Sequence, residues 1–157
     1  MNEARARVER ARRLAAAPDA AWALLRDVPR WGRLFPHVDS VEPYPEAGPD
    51  AFLWRMEPLG PPGAHARVVY ACRYRADAAS RTLTWTPVEG VGTGSFAGHC
   101  ALVEGAAGGT DGTLAMDATL RIPAPRLLRG VVVPLVQAEM GRMVDAFLDR
   151  LDDALSV

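Results

Sequence analysis

Residues 66–75 read ARVVYACRYR, and their two parities separate almost completely: Ala66, Val68, Tyr70, Cys72 and Tyr74 against Arg67, Val69, Ala71, Arg73 and Arg75. Successive side chains of a strand point to opposite faces, so the pattern predicts a strand with a covered aromatic face and a wet arginine face. The neighbouring stretches repeat it. In 51–57, AFLWRME, Phe52, Trp54 and Met56 oppose Leu53 and Arg55; Leu83 and Trp85 alternate with threonines; in 113–122, Leu114, Met116, Ala118, Leu120 and Ile122 oppose Asp117, Thr119 and Arg121. Turn-forming clusters separate these runs: EAGPD at 46–50, LGPPG at 59–63, ADAAS at 76–80 and GAAGGTDG at 105–112. From residue 38 onward the punctuation predicts six strands, in an antiparallel sheet with one face in water and the other covered.

The cover is at the C-terminus. Residues 126–155 place apolar side chains at 128, 132, 136, 140, 143, 144, 147, 151 and 155, a stripe of threes and fours that predicts one long amphipathic helix. Pro134 is expected to kink it or to end a preceding turn, because proline lacks a backbone donor and clashes with the turn before it. Near the N-terminus, PDAAWALLRD at 18–27 reads as a short helix, with Pro18 in the first turn and Asp19 at the positive end of the dipole. PRWGRLFP at 29–36 reads as a second one, stopped by Pro36. Residues 4–15 set Ala4, Val8, Ala11 and Ala15 at helical spacing, so local periodicity predicts a helix there.

Specific residues carry a family resemblance. Leu14 to Asp19 (LAAAPD), followed by Trp22, Leu25 and Asp27, is similar to the strand end, "AP" turn and first helix of the START/polyketide-cyclase (SRPBCC) superfamily, whose helix-grip fold birch-pollen-type allergens share. Trp31, Leu34, Phe35 and Pro36 resemble its second helix, and Phe96-Ala97-Gly98 resembles its small-residue turn into the sixth strand. The resemblance spans nearly the whole chain, 1–157, as one domain. It implies an α+β, Bet v 1-like helix-grip fold: a curved seven-stranded antiparallel sheet around a long C-terminal helix, with two short helices after the first strand. It also makes residues 5–14 the first strand, against their helical periodicity, and implies a cavity between sheet and helix that holds a lipophilic ligand.

The covered parity suits such a cavity. Trp54, Met56, Tyr70, Cys72, Tyr74, Trp85, Phe96 and Met116, with Val136, Met140 and Val144 from the helix, are the candidate ligand-binding residues; the same types also describe a filled core. Cys100, Leu102, Met143 and Phe147 belong to the same covered set. Tyr70 and Tyr74 are the most informative, since a buried phenol needs a hydrogen-bond partner that a ligand or trapped water can supply.

Chemistry is harder to find. All 18 basic residues are arginine, which excludes Schiff-base catalysis, a lysine general base and a P-loop. No GxSxG, HExxH or phosphate-binding glycine loop occurs. His37, His65 and His99 lack metal-ligand spacing, so no metal is expected, and no cofactor. His99 has solvent parity; His37, after Pro36, is expected near the cavity mouth and is the best acid-base candidate. Cys72 and Cys100 fall on the fourth and sixth strands, about 10 Å apart and beyond disulfide reach. Of the carboxylates Glu89, Glu104, Asp117 and Glu139, Asp117 has outward parity and Glu139 lies beside the helix stripe; a solvated position is expected for both, while a slight rotation of the helix would let Glu139 reach into the cavity.

A net charge of −1 offers no global attraction to nucleic acid or to an anionic membrane. No apolar run approaches a membrane span, so no stable insertion is expected, and the N-terminus lacks a signal-like apolar core, so a cytoplasmic location is expected. Two principal functions fit: a module that binds, sequesters or transports a hydrophobic small molecule (lipid, quinone, isoprenoid or polyketide), or a polyketide aromatase/cyclase acting in the same cavity. A third, an interaction protein with a filled core, carries less weight. A cyclase would set an arginine and polar partners inside the pocket. Arg55, Arg67, Arg73, Arg75 and Arg121 all have outward parity, which favours binding; Arg67, beside the GPPG turn, is the position most open to reversal by a bulge, and with Tyr70 and His37 completes the catalytic candidates.

Overall fold

The computed structural model describes residues 2–58, 67–122 and 125–156. Strand β1 (Asn2–Leu14) is followed by helices α1 (Pro18–Leu25) and α2 (Val28–Gly32), then by β2 (Val38–Pro43), β3 (Ala51–Met56), β4 (Val69–Asp77), β5 (Thr82–Pro87), β6 (Gly94–Glu104) and β7 (Thr110–Ile122). A 3-10 turn at Arg126–Leu128 leads into α3 (Arg129–Leu155). The seven strands form one curved antiparallel sheet in the order β1-β7-β6-β5-β4-β3-β2, the helix-grip architecture. No helix among the described residues is long and apolar enough to cross a membrane.

Residues 4–15 are the first place where local pattern and structure part. They do not form the helix that their periodicity predicts: β1 pairs in unbroken register with β7, from Asn2↔Ile122 to Leu14↔Thr110. Thirteen paired residues outweigh a weak helical preference, since strand formation is decided by cross-strand neighbours. A period of two is present as well. Ala4, Ala6 and Val8 are buried while Arg5, Arg7 and Glu9 are exposed. Further along, Arg10 and Arg12 meet α3 through Asp145 at 2.8 Å and Asp149 at 2.6 Å.

The short helices follow their capping chemistry. Pro18 opens α1, and the Asp27 side chain accepts the Arg30 backbone N–H to start α2. Both lay apolar side chains inward, Trp22, Leu24 and Leu25 from α1 and Val28 and Trp31 from α2.

Three further expectations are corrected. Phe96, Ala97 and Gly98 lie inside β6, not in a turn leading to it, because they pair with β7 residues Ala118, Asp117 and Met116. The C-terminal helix begins at Arg129, three residues late, and continues through Pro134 without ending there. The donor that Pro134 lacks costs one bond near the helix start, which the remaining turns tolerate. In the 105–112 segment only 105–109 is loop; Gly108 and Gly109 take φ of 88° and 70°, and Thr110 already belongs to β7. The LGPPG turn, His65, Ala66, Pro123 and Ala124 lie outside the described residues.

Candidate functional site

The sheet's concave face and α3 do not meet solidly. Between them is a cavity of about 440 Å³, walled by β2 to β7, by α3 and by the two short helices and the residues just after them. Trp54, Met56, Tyr70, Tyr74, Trp85, Phe96 and Met116 from the sheet and Val136 and Met140 from α3 all line it. Cys72 and Val144 do not. Cys72 is fully buried, its thiol donating to the Phe96 carbonyl at 3.3 Å beneath the larger rings of its strand. Val144, also fully buried, lies one helical turn beyond Met140 in the packed core.

The wall is mostly aromatic. Trp31 is the hub, with ring centroids 5.3 Å from Trp54, 5.7 Å from Phe147 and 6.0 Å from Tyr74. Phe35 stacks on Phe147 at 4.2 Å and 7°, joining the helical pair to α3. Tyr70 stacks on Trp54 at 5.7 Å and lies 4.0 Å from Phe96. Trp31 and Phe35, which carry the family resemblance, are also wall residues, a role that strand parity and the helix stripe do not assign to them. Helix α2 is only five residues long and Phe35 lies beyond its end, so neither ring has a helix interior to pack into, and that is the signal that marks them.

Burial sets the titration of this wall. Desolvation pushes the Cys100 thiol up to about 12 and holds the Tyr70 and Tyr74 phenols well above the usual tyrosine range. At neutral pH all three are uncharged. The Tyr70 hydroxyl makes no hydrogen bond within the described residues. The cavity thus offers planar apolar surface and a phenol without a hydrogen-bond partner among the described residues.

Charge enters only at the rim, where Arg121 and Glu139 are the charged members of the described lining. Glu139 is a correction. Expected in solvent beside the helix stripe, it is only partly exposed and borders the cavity, accepting from Arg142 at 2.6 Å. His37 stands next to it without lining the cavity: its Nε2 is 4.0 Å from Glu139 and its Nδ1 is 3.5 Å from Glu57. Arg121 also departs from expectation, since despite its outward parity it is among the lining residues, next to the last residue of β7. The other four arginines follow their parity. Arg67 is exposed and 3.8 Å from Asp39, Arg55 pairs with Glu42 at 3.0 Å, Arg73 donates to the Ala47 carbonyl, and Arg75 is exposed. His99 and Asp117 are exposed, Asp117 pairing with Arg7 at 2.6 Å. Among the described residues no three His, Cys, Asp or Glu side chains gather as a metal site would require.

The family model for polyketide cyclase/dehydrase and lipid transport matches residues 5–156. Among solved structures, the ZhuI aromatase/cyclase from Streptomyces sp. R1128 is similar over 97% of this chain and 94% of its own, with TM-score 0.73 and 21% identity. A START superfamily protein from Mycobacterium smegmatis is similar over 96% and 97%, with TM-score 0.69 and 13% identity. Norcoclaurine synthase from Thalictrum flavum, in a truncated form, is similar over 99% and 96%, with TM-score 0.62 and 15% identity. At these identities the likeness is one of fold. No curated protein matches the chain.

Proposed function

The chain belongs to the polyketide cyclase/dehydrase and lipid-transport family, and from that premise we propose that it binds and carries one hydrophobic small molecule between sheet and α3. A quinone, isoprenoid, fatty acyl chain or polyketide has the required chemistry. One observation carries the reading: a cavity of about 440 Å³ whose only charged described lining residues stand at its rim. That volume falls within the roughly 300–1,000 Å³ of small-molecule sites, and adaptable methionines beside flat rings suit an apolar guest. In this reading Trp54, Trp85, Phe96, Met116, Val136 and Met140 form the apolar contact. Tyr70 supplies one polar contact, its hydroxyl donating to a ligand oxygen.

A catalytic reading has one observation of its own. Glu139 borders the cavity with His37 beside it, a carboxylate and an imidazole within reach of a proton on a ligand at the mouth. Against it, Arg67 is outside and Tyr70 has no acid-base partner bonded to it among the described residues, which place no further preorganised polar group in the interior to steer an enolate. Turnover of a poly-β-ketone that Glu139→Gln abolishes, without loss of ligand binding, would establish the second reading.

Native mass spectrometry of the purified protein tests the first. It is expected to show a retained small molecule, and added lipophilic ligands are expected to raise the melting temperature by mass action. Val136→Trp, which fills the cavity, should remove both effects while the protein still melts cooperatively. If no mass is retained and no quinone, isoprenoid, fatty acid or polyketide shifts the melt, the binding reading fails.

A further inference from the structure

Four large aliphatic side chains stand in water around the start of α3. Leu127 is 96% exposed, Val131 61%, Leu135 59% and Leu128 47%. Leu128 and Leu135 also line the cavity, so the patch and the cavity lining are continuous. A folded chain rarely leaves contiguous aliphatic surface in water unless something covers it.

Along the chain the charge beside this patch is one-sided between Asp117 and Glu139, and Glu139 at the rim is paired with Arg142. Residues 118–138 contain Arg121, Arg126 and Arg129 and no Asp or Glu, leaving fifteen of the 18 arginines and all 19 carboxylates to the rest of the chain. None of the three is ion-paired to a carboxylate among the described residues. Elsewhere the arginines commonly have partners, as Arg7, Arg10, Arg12, Arg55, Arg81 and Arg142 do.

We propose that this lip is a docking surface for an anionic lipid bilayer. Aliphatic side chains projecting from one short turn and the first turns of a helix, flanked by guanidiniums, have the chemistry of an interfacial anchor. The leucines and valine enter the acyl boundary while the arginines remain at the depth of the phosphates. Each basic side chain near an anionic surface strengthens binding severalfold, and the attraction is screened by salt. The patch is small, so the contact is reversible and peripheral. Where the ligand-binding reading also holds, docking sets the cavity mouth against the phase that stores apolar molecules.

Co-sedimentation of the full chain with vesicles decides this without reference to any cavity ligand. Vesicles of phosphatidylglycerol mixed with phosphatidylcholine are expected to bind the protein, pure phosphatidylcholine vesicles much less, and added salt to weaken binding. The pair Arg126→Ala with Arg129→Ala should lower partitioning by roughly tenfold or more. The pair Leu127→Ser with Val131→Ser, neither of which lines the cavity, should lower it by a similar factor. Val103→Ser, an exposed valine near the opposite end of the sheet, should leave it unchanged, and matched melting temperatures verify folding. Absence of binding to the anionic vesicles overturns the proposal. So does equal binding by all variants, a dimer in solution that Leu127→Ser dissociates, or binding confined to an acidic carrier protein.

Discussion

Gly98 shows how a single hydrogen atom shapes the site. A Cβ built there would lie 2.3 Å from the Ala115 carbonyl oxygen and 2.6 Å from the Trp85 ring. Glycine lets the indole of Trp85, a cavity wall, lie flat across β6. Gly98→Ala is therefore expected to displace that ring and cost roughly 1–3 kcal/mol, the usual range for overpacking. Thermal or urea unfolding measures it; a wild-type midpoint would mean that Trp85 moves freely. In sequence, Gly98 was visible as a small residue in a loose motif, but the ring that requires it was not. Thr110 is similar: fully buried, it donates to the Ala16 carbonyl at 2.7 Å, a contact spanning 94 residues that no local reading reaches.

Edge strands need protection, and β1 receives it from α3. β1 ends one side of the sheet, so part of its backbone has no strand partner. The Gln137 side chain supplies one: its Oε1 accepts the Arg7 backbone N–H at 3.0 Å and its Nε2 donates to the Arg7 carbonyl at 2.7 Å. The pairs from Arg10 and Arg12 to Asp145 and Asp149 continue along the same seam, though exposed pairs of this kind are each worth about 0–1 kcal/mol. Gln137→Ala should cost about 0.5–1.5 kcal/mol and speed amide exchange at Arg7 relative to the centre of β7. Unchanged exchange at Arg7 would show that solvent serves its backbone equally well. Asp145 and Asp149 are four residues apart and so share one helical face, but the sequence does not say what they meet. Their pairing required knowing that β1 is a strand.

For the molecule as a whole, the buried thiols and phenols make a pH argument. Desolvation pushes Cys72 and Cys100 up to about 12 and Tyr70 and Tyr74 well above their ordinary range. Below about pH 9 the thiols are protonated in both the folded and the unfolded chain, so stability does not depend on them. Above it the unfolded chain loses its protons first and binds fewer than the folded one, so stability falls as pH rises from about 9 to 12, by up to roughly 1.4 kcal/mol per pH unit for each buried group. Melting temperature is expected to hold near neutral pH and drop beyond pH 9, less steeply in a Cys72→Ala, Cys100→Ala double variant. A flat profile to pH 11 would mean that these groups reach solvent. Net charge teaches a related lesson: −1 overall conceals an arginine-only stretch at the cavity lip.

By itself, the sequence determined which residues face inward. Alternation in 51–57, 66–75 and 113–122 and the stripe of 126–155 reflect the fixed geometry of strand and helix, and nine of the eleven candidate wall residues line the cavity as that geometry predicts. Tertiary structure alone decided the rest. For β1 the family resemblance implied a strand over 5–14 against the helical spacing, and what the structure adds is the register with β7 that holds it from Asn2 to Leu14. Glu139 and Arg121 border the cavity although neither strand parity nor the helix stripe puts them there, since at an element's end the surrounding packing sets what a residue touches. Whether inward residues fill the interior or leave it open depends on how far the sheet's curvature holds its wall from α3. That separation arises from all seven strands together, and no single segment encodes it.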